Sequence, residues 1–162
     1  MLKIKKEELT HESFAPFGSF YCMTDPAGHS LNGEIHRFFP DRLTESYNTR
    51  IGFSSILVKK PEEMIIEQVE YHTTTPEIIL PLNDDMILHV APASAGVPVT
   101  SLTKAFLVPK GVMVKVNTAI WHLAPLPANE SELQALIILP ECTYVNDCTV
   151  VKLKEDEKFQ II

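Results

Sequence analysis

Two acidic residues and a histidine lie close together in the stretch VEYHTTTPEIILPLND, residues 69–84. Glu70 and His72 are two positions apart, and Glu77 follows five positions after His72. Because side chains alternate between the two faces of a strand, Glu70 and His72 would project to the same side. Carboxylate and imidazole groups that share a cavity can transfer protons near neutral pH or bind a divalent metal. The alternative is a solvated strand end whose polar side chains face water.

A second histidine stands later in the chain, in the stretch PKGVMVKVNTAIWHLAPL. Pro109–Gly111 predicts a tight turn, and Trp121 and His122 end the strand region that follows it. Taken alone, the apolar neighbours of His122 favour a hydrogen-bonded core histidine. Paired with the first stretch, His122 suggests the two-motif layout of a cupin, in which both motifs converge on one divalent metal. The ligands would be His72, Glu77 and His122, and this donor set suits Ni, Zn, Mn or Fe equally.

Short strands must position these residues. Runs of Val, Ile, Leu and Phe are separated by turn residues along the chain: GFSSILVK, EMIIEQVEYH, EIILPL, MILHVA, KAFLV, VMVKV, LQALIIL and TVVKL. In the second run, alternation predicts that Met64, Ile66, Gln68, Glu70 and His72 share one face. Such runs are typical of an all-β sandwich or small barrel.

The remaining elements fit a single domain over residues 1–162. The opening LTHESFAPFG predicts a short helix that Thr10 caps and that Pro16 and Gly18 end. No long helical pattern separates the strands, so parallel βαβ units are not expected and the sheet should be antiparallel. A chain of 162 residues is long enough to bury a sizeable core.

Charge and composition exclude several classes of partner. The net charge is −7 and no basic stripe is present, which argues against nucleic acid. No apolar run is long enough to span a bilayer, and the start lacks the apolar core of a signal peptide, so a cytoplasmic protein is expected. Cys22, Cys142 and Cys148 lack metal-type spacing, which favours free thiols in a reducing compartment over a redox role.

Over nearly its whole length, the sequence resembles the ureidoglycolate lyase family, a cupin branch that acts in allantoin breakdown. LTHESFAPFG resembles the opening helix of the family, and HRFFPD resembles a stretch that contains a family arginine. VNDCTVVKL resembles the closing segment of the family. The two site stretches also resemble family segments. The matched positions are Arg37, Glu70, His72, Pro81, Leu82, Trp121, His122 and Leu126.

The resemblance implies a cupin-type antiparallel β-barrel, a double-stranded β-helix or jelly roll with a short N-terminal helix, in a homodimer. It also implies cleavage of ureidoglycolate, a small-molecule substrate, into glyoxylate and urea without an organic cofactor. The catalytic residues would be Glu70, His72 and His122. His122 or Glu70 would act as base, and His72 as proton donor or metal ligand. The substrate-binding residues would be Arg37, which would hold the carboxylate, together with Tyr71 and Trp121.

Several positions depart from the family pattern. Its Glu-Arg-His becomes Glu70-Tyr71-His72, and SILVKK stands where an asparagine–arginine pair is usual. Since lysine does not replace the arginine fork on a carboxylate, these losses leave the substrate open. Two alternatives remain: another metal-dependent cupin enzyme, such as a sugar or keto-acid isomerase or an oxygenase, and a non-catalytic ligand-binding cupin. Glu77, where a small residue is usual, favours the first alternative.

Overall fold

The computed structural model describes residues 1–162, which form mainly short strands. The two helices are α1 (His11–Phe14) and α2 (Thr143–Asn146), and a 3₁₀ turn covers Thr100–Leu102. The first eight strands are β1 (Leu2–Ile4), β2 (Lys6–Glu8), β3 (Gly18–Cys22), β4 (Leu31–Asn32), β5 (Arg37–Phe38), β6 (Ile51–Lys59), β7 (Ile65–Ile66) and β8 (Gln68–Tyr71). The other eight are β9 (Glu77–Pro81), β10 (Met86–Val90), β11 (Lys104–Val108), β12 (Val112–Val116), β13 (Leu126–Pro127), β14 (Glu132–Pro140), β15 (Thr149–Lys152) and β16 (Phe159–Ile161).

Two main sheets carry the fold. One has five strands in the order β3-β12-β9-β14-β6, and the other has four in the order β13-β10-β11-β2. Smaller sheets, β1-β16-β7, β15-β8 and β4-β5, complete the molecule. The predicted all-β class with a short N-terminal helix is confirmed, and the two main sheets form a jelly-roll sandwich. The hydrogen bonds do not close the sheets into one continuous barrel, because the strands divide among separate ladders.

Strand β10 separates two apolar cores and is buried on both faces. Met86, Leu88 and Val90 point into the first core, which α1 and the five-stranded sheet complete. Ile87 points into the second core, which Trp121 and the terminal strands share. Since both faces are covered, all five residues of β10 are buried, which explains its continuous apolar sequence.

The local signals in the sequence position the turns as expected. Thr10 caps α1 by accepting a hydrogen bond from the backbone N–H of Ser13 at 3.1 Å. Gly111 has a φ of +81° in the tight turn before β12, and the N–H of Val112 bonds to the carbonyl of Pro109 at 3.0 Å. The predicted helix start and the Pro109–Gly111 turn are therefore confirmed.

Two expectations about the strands need correction. Ile66 and Val69 both lie in the second core although they are three positions apart, so the alternation breaks between β7 and β8. Met64 and Ile66 therefore do not continue the face of Glu70 and His72. The pairing is also not wholly antiparallel, since β1 pairs with β16 and β2 with β11 in parallel. These N-terminal strands join sheet edges beside strands distant in sequence, where no hairpin forces an antiparallel direction.

The two helices are each four residues long. Neither has the length and apolar character that crossing a membrane requires.

Candidate metal and acid–base site

Three separate pieces of chain bring four polar residues together. Glu70 lies in β8, His72 follows the end of that strand, and Glu77 begins β9 after the intervening turn. His122 comes from the segment before β13 and forms an isolated bridge with Glu70. In this bridge the N–H of Glu70 bonds to the carbonyl of His122 at 2.7 Å, and the reverse bond is 2.8 Å long. The backbone ladder thus fixes the two motifs against each other.

The side chains of Glu70, His72, Glu77 and His122 form what we call the ligand cluster. One possible ligand atom from each residue lies within 4.8 Å of those of the other three. Both imidazoles approach the same carboxylate oxygen: the distance to Glu77 Oε2 is 3.3 Å from His72 Nε2 and 2.8 Å from His122 Nε2. His72, Glu77 and His122 are buried, with exposed fractions of 1%, 5% and 2%, and Glu70 is half-buried. A solvated strand end is therefore wrong for this stretch.

Backbone carbonyls orient both imidazole rings. His72 Nδ1 donates to the carbonyl of Asp147 at 2.7 Å, and His122 Nδ1 donates to the carbonyl of Ile120 at 2.8 Å. A carbonyl oxygen can only accept, so each Nδ1 carries the proton. Each Nε2 is thereby turned toward the centre of the cluster, where it can meet a proton or a metal.

The pairing of Glu77 with the two histidines governs its charge. Burial alone raises the pKa of Glu77, but the hydrogen bonds from His122 and His72 outweigh burial and lower the pKa to about 2. Burial lowers the pKa of His122, and the hydrogen bond to Glu77 more than reverses this effect, so the pKa of His122 is raised. Glu77 is therefore a carboxylate at neutral pH, and the cluster favours a positive partner beside it.

The donor set fits a divalent metal ion. Two imidazole nitrogens and a carboxylate oxygen from His72, His122 and Glu77 point to one place, and Glu70 lies beside them. Nitrogen and oxygen donors of this kind suit Zn, Ni, Fe or Mn. Both histidines also have the carbonyl partner on Nδ1 that metal-binding imidazoles usually have. No lysine or arginine forms an ion pair with the cluster.

A segment near the C-terminus supports the cluster, a role that the sequence analysis did not predict. Asp147 holds His72, the thiol of Cys148 donates to Glu70 Oε2 at 3.3 Å, and the ring of Tyr144 meets the ring of His72 edge-on with centroids 6.5 Å apart. Burial and then the charge of Glu70 raise the pKa of Cys148 to about 12, so the thiol keeps its proton. Only the Asn146-Asp147 pair, a turn signal, marks this segment in the sequence.

The three predicted substrate-binding residues do not join the cluster. Arg37 is exposed in the β4–β5 hairpin, and its guanidinium lies 5.0 Å from the ring centroid of Phe39. Tyr71 and Trp121 pack against each other with ring centroids 4.4 Å apart, and Trp121 lies in the second core. They point away because they alternate with the cluster residues along the same strands. Trp121 instead donates from Nε1 to Ser94 Oγ at 2.8 Å.

Comparison with known proteins shows the family to which the chain belongs. The family described as ureidoglycolate lyase matches residues 1–161. The chain belongs to this family. It is 31% identical to a ureidoglycolate lyase of Rhodobacter capsulatus over 79% of this chain and 82% of that protein. It is 26% identical to a ureidoglycolate lyase of Pseudomonas fluorescens over 94% of this chain and 92% of that protein. The family resemblance of the sequence is thus confirmed.

Among solved structures, an oxalate decarboxylase of Bacillus subtilis with Mn(II) centres is similar to this chain at a TM-score of 0.46. The sequence identity is 16%, and the match covers 65% of this chain and 24% of the decarboxylase.

Proposed function

We propose that this protein is a ureidoglycolate lyase that cleaves ureidoglycolate into glyoxylate and urea, as expected for a step in allantoin breakdown. The observation that carries the proposal is the convergence of Glu70 with His72, Glu77 and His122, within 4.8 Å of one another, in a chain of the ureidoglycolate lyase family. Membership of the family supplies the substrate class. The cluster supplies the groups that the reaction needs.

The reaction requires one proton to move between two neighbouring groups of the substrate. Ureidoglycolate carries a hydroxyl and a ureido nitrogen on the same carbon. When the hydroxyl proton leaves, the carbonyl of glyoxylate forms, the carbon–nitrogen bond breaks, and the departing nitrogen takes up a proton to give urea. No electrons are gained or lost overall, so no redox cofactor is needed. A positioned carboxylate can accept the first proton and return it to the nitrogen.

Glu70 is the better of the two bases that the sequence suggests. The pKa of His122 is raised by its hydrogen bond to Glu77, which favours the protonated imidazole and makes His122 the poorer base. Glu70 is half-buried at the edge of the cluster, and one of its oxygens is engaged by the Cys148 thiol. The other oxygen remains for the substrate. Glu70 would therefore move the proton, while His72 and His122 hold their Nε2 atoms toward the reacting group.

A divalent metal fits beside these residues, and His72, Glu77 and His122 would hold it. When bound, such a metal would polarise the substrate hydroxyl and supply the positive charge that the substrate carboxylate needs. The donor set leaves Ni, Zn, Mn and Fe open. Arg37, Tyr71 and Trp121 are left out of the proposed site because none of them is directed to the cluster.

The test is release of glyoxylate and urea from ureidoglycolate by the purified protein, metal-depleted and reloaded separately with Ni, Zn, Mn and Fe. The Glu70→Gln variant keeps the size of the side chain and removes the base, so turnover should fall by roughly 100-fold or more. Glu63→Gln, at an exposed position, is the matched control and should keep wild-type turnover. Absence of both products in every metal state, or full activity in Glu70→Gln, would overturn the proposal.

A second candidate is a different metal-dependent cupin enzyme, such as a sugar or keto-acid isomerase or an oxygenase. It is favoured by the lack of a lysine or arginine ion pair at the cluster and by the arrangement of two histidines and one carboxylate, which suits Fe(II) as well. Stoichiometric metal without glyoxylate release would support this candidate. If metal binds and no small ureido, keto or sugar acid is turned over, a ligand-binding cupin is supported instead.

We also propose that the protein is a homodimer. Strand β6 is an edge of the five-stranded sheet and carries exposed apolar side chains at Ile51, Phe53 and Leu57, with exposed fractions of 45%, 71% and 62%. An apolar edge of this kind is normally covered. Sedimentation should give the mass of a dimer, and Phe53→Lys should shift it toward the monomer. A wild-type monomer at high concentration would contradict this assembly.

The cytoplasmic location also remains a proposal. Cys22, Cys142 and Cys148 are all free thiols, as is usual in a reducing compartment. Fractionation of the source cells would test the location.

A further inference from the structure

The segment of residues 144–148, here called the clamp segment, contacts the ligand cluster from outside. The backbone carbonyl of Asp147 accepts a hydrogen bond from His72 Nδ1 at 2.7 Å. The next residue, Cys148, donates from its thiol to Glu70 Oε2 at 3.3 Å. Two consecutive residues thus hold two different members of the cluster. Neither of them is a cluster residue itself.

The side chain of Asp147 anchors the clamp segment to the turn that follows His72. Its Oδ1 accepts from the N–H of Thr73 at 2.7 Å and from the hydroxyl of the same residue. Its Oδ2 accepts from the N–H and the hydroxyl of Thr74 at 2.8 and 2.6 Å. Charge-assisted hydrogen bonds of this kind are among the stronger ones in proteins. The carboxylate therefore fixes the position of the carbonyl that the same residue offers to His72.

This contact holds the Nδ1–H of His72. The carbonyl of Asp147 can only accept, so it retains the proton on Nδ1 and leaves Nε2 to face Glu77, where a metal would replace the proton of Nε2. Without the carbonyl, the ring would be free to rotate, and its Nδ1 could lose the proton in place of Nε2. A metal or a proton donor that needs Nε2 at the centre would then meet the ring in the wrong form for part of the time.

The thiol of Cys148 has a comparable effect on Glu70. It occupies Oε2, so the carboxylate cannot turn freely, and Oε1 is the oxygen left for proton transfer. A thiol is a weak donor that keeps its proton and does not compete for the carboxylate as a cation would.

We propose that Asp147 and Cys148 are positioning residues of the site, Asp147 fixing the Nδ1–H and orientation of His72 and Cys148 fixing the carboxylate of Glu70. The inference rests on the proposed function only where it assigns metal binding to His72 and proton transfer to Glu70. The contacts themselves do not depend on the identity of the substrate.

The first test compares Asp147→Ala and Asp147→Asn with wild type and with Asp156→Ala, an exposed control. Titration with Co²⁺, followed by its visible absorption, measures metal affinity. Asp147→Ala should weaken binding by roughly 10- to 100-fold, the usual effect of removing a group that orients a ligand. Asp147→Asn keeps an amide oxygen for the N–H and hydroxyl of Thr73 and should recover part of the loss. The control should match wild type.

A second readout separates positioning from folding. NMR spectra of the metal-free protein should show Nδ1–H of His72 as a hydrogen-bonded group. In Asp147→Ala this signal should move toward that of an N–H without a fixed partner, while the signals of His122 stay unchanged. If Asp147→Ala fails to fold, the same comparison is made with Asp147→Asn, in which intermediate shifts are expected.

The test of Cys148 measures both kcat and Co²⁺ affinity. Cys148→Ala should lower kcat by roughly 10-fold with an unchanged Co²⁺ affinity, since Glu70 is not among the proposed metal ligands. Cys148→Ser retains a donor and should recover most of the rate. Cys142→Ser, at a free cysteine that is exposed and lies outside the clamp segment, is the control and should behave as wild type.

The proposal is overturned if folded Asp147→Ala keeps both the wild-type Nδ1–H signal of His72 and a Co²⁺ affinity within twofold of wild type. It is also overturned for Cys148 if Cys148→Ala keeps wild-type kcat. These outcomes differ from failure of the proposed function. A wild-type protein that does not cleave ureidoglycolate would leave the Nδ1–H and metal readouts in place, and a protein that binds no metal would leave the Nδ1–H readout.

Discussion

The ligand cluster contains buried histidines and another lies beside the second core, but the two regions shift the histidine pKa in opposite directions. His122 faces the carboxylate of Glu77 at 2.8 Å, and its pKa is raised. His89 in β10 is equally buried, but its Nε2 has no hydrogen-bond partner and its ring meets Phe159 edge-on at 5.5 Å. Burial, and then the charge of His122, lower the pKa of His89 to about 3. A nearby carboxylate thus decides whether a buried imidazole is reactive or inert.

Within the cluster, the two histidines also differ in how they are supported. His122 is held locally by the carbonyl of Ile120, two positions away, and by the two backbone hydrogen bonds of the bridge with Glu70. His72 depends on Asp147, which is 75 positions away. Because local support persists when a distant segment shifts, the His72 side should be the more easily disturbed half of the site.

The largest effect is expected from Glu77→Gln, which removes the carboxylate that both histidines share. The free energy of unfolding at pH 7 should fall by about 3 kcal/mol, because a buried charged network loses its centre. Tight metal binding should be lost as well. Urea denaturation and a Co²⁺ titration measure the two changes. Glu155→Gln, on an exposed surface pair with Lys158, should change stability by less than about 1 kcal/mol.

His89→Leu tests how the buried histidine of β10 makes stability depend on pH. The pKa of His89 in the folded protein, about 3, lies below the ordinary histidine value of 6.5, so the unfolded chain binds a proton that the folded protein excludes. The contribution of His89 to the free energy of unfolding is therefore complete above pH 6.5 and is lost as pH falls toward 3. The loss by pH 5 amounts to about 2 kcal/mol. In His89→Leu, the loss of unfolding free energy between pH 7 and pH 5 should be smaller by that amount. An unchanged pH dependence would contradict the inert assignment of His89.

The raised pKa of His122 predicts the pH dependence of metal binding. A metal must displace the proton from Nε2, so affinity should decrease as pH falls, beginning above pH 6.5. Below the pKa, the decrease should approach roughly tenfold per pH unit for each histidine that must lose a proton. Titrations with Zn²⁺ at several pH values between 8 and 5.5 measure the slope. A flat profile would mean that the histidines do not bind the metal.

The smallest expected effect tests whether His72 and His122 are supported separately. Replacing Thr73 and Thr74 with valine removes two of the four hydrogen bonds to Asp147 and keeps both backbone N–H donors. We expect unfolding free energy to fall by about 1 kcal/mol and metal affinity by roughly threefold. The NMR shifts of His122 should not move. Equal disturbance of both histidines would show that their support is not separate.

Much of the fold could be predicted because its signals are local. Alternating apolar residues mark strands such as β14, whose Leu133, Ala135, Ile137 and Leu139 all enter the first core. Gly111 marks a turn that requires a positive φ. Alternation along β8 likewise places Glu70 on the site face and Tyr71 on the other. The alternation fails between Ile66 and Val69, because the strand breaks there and both side chains enter the second core.

The sequence by itself determined the strand segments, the capped helix and the kinds of side chain, imidazole and carboxylate, that could bind a metal. Only the tertiary structure decided which of these residues meet. It buries Glu77 between His72 and His122, brings Asp147 and Cys148 to the same place, and leaves Arg37 on an exposed hairpin. The physical reason is distance along the chain. A period of two residues fixes the face of a strand locally, whereas contacts across 75 positions depend on how the sheets pack.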